Sequence, residues 1–180
     1  MTRGALLHPA PAAGFDQPFA LLDACHERVQ RSLALLLRLA EHLVQHGADA
    51  QAADAARDVM RYFDLAAPLH HEDEERHVLP RLRAAGHGAL AQRLQDDHAA
   101  LAALWQPVRA VLQSVADGLW DTADAVARTR DWPAWAQRYR EHIALEDTQA
   151  FPACRALLDD AQARSMGEEM ALRRGVHPPP

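Results

Sequence analysis

His26 and His98 lie 72 residues apart, and the same interval separates His70 from His142, Glu74 from Glu146, and Pro80 from Pro152. Each half therefore carries one lone histidine, then His-x-x-x-Glu 44 residues later, then a proline six residues after the glutamate. Four pairs at one offset point to an internal duplication. The duplicated unit is long enough for a helical hairpin, so the pattern predicts two hairpins related by a pseudo-twofold axis.

The apolar residues agree. Asp16-Gln17-Pro18 reads as a helix start, with an acidic cap and proline in the first turn. Leu22, Val29, Leu33, Leu36, Ala40 and Leu43 then follow at helical spacing, with His26 on the same stripe. A second helical segment runs from Asp49 to about Gly86 and carries Met60, Phe63, Ala67, His70, Glu74 and Val78 on one face, with Pro68 expected to kink it. A third, from about Ala89 to Asp117, carries Leu94, His98, Leu101, Leu104, Val108, Val111 or Leu112, and Val115, with a bend expected at Pro107. Asp131-Trp132-Pro133 starts a fourth, with Trp135, Tyr139, His142, Glu146 and Ala150, and Pro152 ends or bends it. Residues 153–166 read as a short extra helix. The expectation is an all-α, up-and-down antiparallel four-helix bundle over residues 16–165. A flexible arm at 1–15 precedes it and a loose tail at 166–180 follows.

His-x-x-x-Glu sets both side chains on one helix face, one turn apart. Helix levels place the four segments together. His26 lies 21 residues before Gly47, and the middle of the His70/Glu74 pair lies 25 after it. His98 and the same pair flank Gly86 at similar distances. Four helices can thus bring His26, His70, Glu74, His98, His142 and Glu146 to one layer. Burying two carboxylates among leucines without counter-charge costs several kcal/mol each. A pair of cations removes that cost. Two metals with two histidines each, bridged by Glu74 and Glu146, is the economical assignment. Imidazole with carboxylate suits iron, manganese or zinc.

The formal charge of −6 argues against a general nucleic-acid or membrane surface. All nineteen basic residues are arginine. The two cysteines, Cys25 and Cys154, make no disulfide scaffold and fit reduced thiols in a cytoplasmic protein. The N-terminus lacks the pattern of a secretory signal, and the longest apolar stretch, broken by Arg38, is too short for a membrane span.

The chain resembles the hemerythrin-like, HHE cation-binding family. The residues that carry the resemblance are His26 in "DACHERV", "HHEDEERHVLP" at 70–80, His98 in "DDHAAL" and "HIALEDTQAFP" at 142–152. It implies a four-helix bundle with an oxo- or hydroxo-bridged pair of iron ions, held by His26, His70, Glu74, His98, His142 and Glu146, with zinc or manganese as substitutes. It implies a small ligand (O2, peroxide or NO), bound, sensed or consumed, or a role in iron handling. A monomer or homodimer is expected. A di-iron enzyme and a bundle with a structural metal are the competing readings. Oxygen-carrying members have a second histidine four residues after the helix-3 histidine, where this chain has Ala102. They also use an aspartate five residues after the helix-4 histidine; here Glu146 and Asp147 are both available. Six ligands in place of seven would leave more open positions.

His71, Glu75, Tyr139 and Asp147 are the candidates for an additional ligand or for hydrogen bonding to the ligands. Glu72, Asp73, Arg76 and His77 are expected on the solvated face. His42 and His46 form a His-x-x-x-His pair, on the side of the first helix opposite His26. The four tryptophans are expected to pack.

Overall fold

The computed structural model describes residues 14–176. Most of the N-terminal arm expected at 1–15 therefore lies outside the described residues, as do the last four of the tail. The fold is an all-α bundle of four rods. The first is α1, Pro18–His46. The second spans 50–84 as α2 (Ala50–Arg61), α3 (Ala67–Asp73) and α4 (Leu79–Ala84), joined by π-helical turns. The third is α5, Gly88–Ala116. After a 3-10 turn and the short α6 (Ala125–Thr129), the fourth rod runs as α7 (Trp132–Leu145) and α8 (Phe151–Arg155). Each rod packs on the next, and the fourth closes against the first. No described helix is long and apolar enough to cross a membrane.

The core has two parts, and the gap between them matters most. One apolar cluster joins Val29–Leu43 to Phe63, Ala67, Leu101, Trp105, Trp135 and Tyr139. The other joins Phe19 and Leu22 to Val78, Leu79, Leu94, Ala150, Phe151, Met166 and Met170. On every rod the chain passes from one cluster to the other across a buried polar residue. His26 sits between Leu22 and Val29, and His98 between Leu94 and Leu101. His70 and Glu74 lie between Ala67 and Val78, and Glu146 between Ile143 and Ala150. Each fully buried leucine contributes about 1.5–3 kcal/mol, so the two cores hold the polar layer between them.

Three π turns interrupt the rods, at Tyr62–Ala66, Glu74–Val78 and Glu146–Ala150. Each is followed at once by an Xaa-Pro pair: Pro68, Pro80 or Pro152. Proline cannot donate to the carbonyl four residues back and its ring collides with it. Adding a residue to the preceding turn relieves that collision without ending the helix. The wide turns close through Leu79 N–H to Glu74 O and Phe151 N–H to Glu146 O. These two repeat at the 72-residue interval and begin at the two glutamates.

Several expectations change. Gln17, not Asp16, is the cap residue of α1, and no side chain caps it. Leu104 is 43% exposed, and Trp105 takes its place in the core. The extra helix is not at 153–166: α8 stops at Arg155 and α9 runs Asp160–Arg173, opened by an Asp159/Gln162 capping box. Residues 166–173, expected as the start of a loose tail, are thus helical. Met166, Gly167, Met170 and Ala171 are buried, which is the reason: the cluster around Phe19 and Leu22 offers them apolar surface.

Candidate metal centre

The six residues singled out from spacing all meet in the polar layer, and all are buried. The imidazole Nε2 atoms face the two carboxylates. His70 Nε2 and His98 Nε2 are each 3.3 Å from Glu74. His26 Nε2 and His142 Nε2 are 3.2 and 3.1 Å from Glu146. His26 is also 3.8 Å from Glu74, and His98 3.7 Å from Glu146. Each carboxylate therefore spans imidazoles from both hairpins.

These contacts are not hydrogen bonds. His26 Nε2, His98 Nε2, His142 Nε2 and all four glutamate oxygens are buried without a hydrogen-bond partner. Leaving so many polar atoms unmatched would cost about 1–3 kcal/mol apiece. A cation accounts for the spacing. Donors about 2.1 Å from one ion stand about 3.0–3.4 Å from each other at octahedral or tetrahedral angles. Two overlapping groups of four bring one donor atom each to within 4.8 Å of one another: His26, His70, Glu74 and Glu146, and His71, Glu74, His98 and His142. The donor set fits metal cations.

The outer nitrogens of His26 and His98 are held. Asp147 Oδ1 lies 2.7 Å from His26 Nδ1, and Glu75 Oε1 lies 2.9 Å from His98 Nδ1. An Nδ1–H donated to each carboxylate leaves the Nε2 lone pair aimed into the cluster. The π turns set this up. Glu74 and Glu146 point inward, while the next residue of each reaches an imidazole of another rod.

The sequence of the hemerythrin HHE cation binding domain matches residues 17–154 of the chain. The chain belongs to this family. A relative from Haemophilus influenzae (strain ATCC 51907 / DSM 11121 / KW20 / Rd), described as an uncharacterized protein, is 30% identical over 173 residues, covering 95% of this chain and 98% of its own. In this HHE-domain protein the buried layer is where cations can be held.

His71 adds to the expected set. Its ring stacks on that of His98, centroids 4.1 Å apart, and its Nε2 lies 2.9 Å from the Tyr139 hydroxyl. A seventh donor therefore stands beside the six, supplied by rod two rather than by position 102. Its sequence signal was the doubled "HH". The wide turn after Asp73 and the stacking on His98 are invisible to periodicity.

With no cation, protons balance the charge. Burial would depress the His26 imidazolium, but the Asp147 hydrogen bond and the nearby Glu146 and Glu74 carboxylates outweigh it and carry it up to about 12. His98 rises likewise to about 10, against the same opposing burial, through Glu146 and Glu74. Burial and the Glu146 charge would raise Glu74, yet the imidazoles hold it at about 2. Burial keeps His70 and His71 below the usual range. Two imidazolium ions thus offset two carboxylates, and a cation competes with those protons.

One expectation fails outright. Asp73 is 1% exposed, not solvated. Arg173 and Arg174 both bond its carboxylate, Arg174 Nη2 at 2.6 Å. His77 is also largely covered and lies 2.5 Å from Glu169. The helix α9 folds back over this face. The "RR" at 173–174 was the available signal. His42 pairs with Asp49 at 3.1 Å, away from the cluster.

Proposed function

We propose that this protein holds two iron ions in the buried layer and binds or senses a small ligand there, of the class O2, peroxide or NO. The observation that supports it is the pair of buried carboxylates, each within 3.1–3.8 Å of imidazole nitrogens from both hairpins and none of their oxygens hydrogen-bonded. Glu74 and Glu146 would bridge the ions. His26 and His70 would hold one; His98, His142 and His71 would hold the other. A bound iron pair supplies one-electron redox chemistry and an open coordination position.

The chain's own part is orientation and exclusion of water. Asp147 and Glu75 fix the His26 and His98 rings. Tyr139, fully buried and with its phenol held well above the usual value, first by burial, stays protonated beside His71. The two apolar cores flank the layer above and below. The unequal donor numbers favour an open position on the His26/His70 side.

The test is iron content per chain together with the near-ultraviolet spectrum of air-exposed protein. About two irons with an oxo-bridge charge-transfer band are expected. A reconstituted protein that takes up no iron, or only redox-silent zinc, would remove the reading.

A further inference from the structure

A cavity of about 190 Å³ opens between rods two, three and four and ends on the metal layer. Its walls are the buried side chains of Phe63, Leu101, Trp105 and Trp135. Its mouth is at the exposed Ala102 and Gln106, and its inner end is the Tyr139–His71 pair. Ala102 lies one helical turn beyond His98, so it faces the same side of α5. A larger residue there would fill the opening.

The polar groups of the walls are already occupied. Trp105 Nε1 donates to Asp64 at 2.9 Å, and Trp135 Nε1 donates to the Leu101 carbonyl at 3.2 Å. Asp64 also lines the cavity, but Arg109 Nε bonds both of its oxygens, at 3.0 and 2.9 Å. An ion entering would lose its hydration with no free counter-charge to meet it. An apolar molecule would gain the aromatic faces. Apolar cavities of about 150 Å³ in protein cores take up benzene or xenon, so the size fits one small molecule.

We propose that this cavity is a binding site for a small uncharged molecule, which it delivers to the Tyr139–His71 end of the layer. The delivery half rests on the cation reading of that layer; the binding half does not. The site lies on the opposite side of the layer from the His26/His70 group, so it is a second approach to it.

The experiment uses the full chain with xenon as the probe, read by the indole N–H resonances. Xenon should shift Trp105 and Trp135 and leave Trp120 in place. In Ala102→Leu those shifts should be lost while iron per chain stays as in the parent. Ala102 is exposed, so the longer side chain leaves the core intact. Trp105 and Trp135 resonances unmoved by xenon in the parent protein would overturn the proposal, and so would an Ala102→Leu protein that responds as the parent does. Xenon shifts in a chain that takes up no iron would uphold the cavity and sink the cation reading, which keeps the two failures apart.

Discussion

Asp147 Oδ1 lies 2.7 Å from Nδ1 of His26, across the interface between the first and last rods. Glu75 stands in the same relation to His98, 72 positions earlier, at 2.9 Å. Both carboxylates are 43% exposed while both imidazoles are buried. Removing such a partner leaves the inner donors in place but frees the ring to rotate. Asp147→Asn and Glu75→Gln should each weaken iron binding about 10–100-fold. Glu74→Ala and Glu146→Ala should abolish it. Competition titration against a chelator of known affinity distinguishes the two classes. Equal losses in all four variants would contradict the assignment of roles.

Metal removal should lower stability, because the layer then keeps its unpartnered oxygens. A ligand at a hundred times its dissociation constant stabilises the native state by about 2.7 kcal/mol. For a chain of this length that corresponds to a rise in Tm of about 5–10 °C. Calorimetry with and without chelator measures it. A Tm indifferent to chelation would mean that the layer is not a cation site.

The layer was legible because two signals reinforce each other. A histidine inside an apolar stripe is costly unless something binds it, and here four stripes place that cost at one level. The π turns were not legible. Their extra residue falls where Glu75 and Asp147 touch imidazoles, and apolar periodicity does not register one added residue. Leu104 and Trp105 show the same blindness: either fits a helical stripe, and only the aromatic packing of Phe63, Trp105 and Trp135 selects the second. Asp73 reads as solvated in its local segment. Its burial depends on a helix 100 residues away.

That helix gives the next test. Arg173 and Arg174 are the bonded partners of a carboxylate that is 1% exposed. Replacing both with alanine strands a buried charge, which costs about 3–5 kcal/mol. Either single replacement should cost less, since one guanidinium remains. Urea unfolding of the three variants gives the values. A double variant within about 0.5 kcal/mol of the parent would show that α9 does not shield Asp73 in solution.

Gly167 should resist even a methyl group. A Cβ there would stand 1.7 Å from the Phe15 carbonyl oxygen, which is backbone and cannot rotate aside. Alanine would otherwise favour the helix by about 1 kcal/mol. Overpacking costs about 1–3 kcal/mol, so Gly167→Ala should destabilise the protein and displace the segment entering α1. A variant as stable as the parent, with Phe15 unmoved, would contradict this packing.

Acid should loosen α9 before it unfolds the bundle. Burial would raise the Glu169 carboxyl, but the hydrogen bonds from Arg173 and His77 outweigh it and hold it below its ordinary value of 4.5. The folded state therefore binds this proton less readily than the unfolded state. The resulting stability is present above about pH 4.5 and is lost as pH falls through the depressed folded value. The methyl resonances of Met166 and Met170, on the buried face of α9, should broaden or shift in that window, and Glu169→Gln should remove the pH dependence of the change. Methyl signals that hold still down to global unfolding would show that the Glu169 contacts do not fasten the helix.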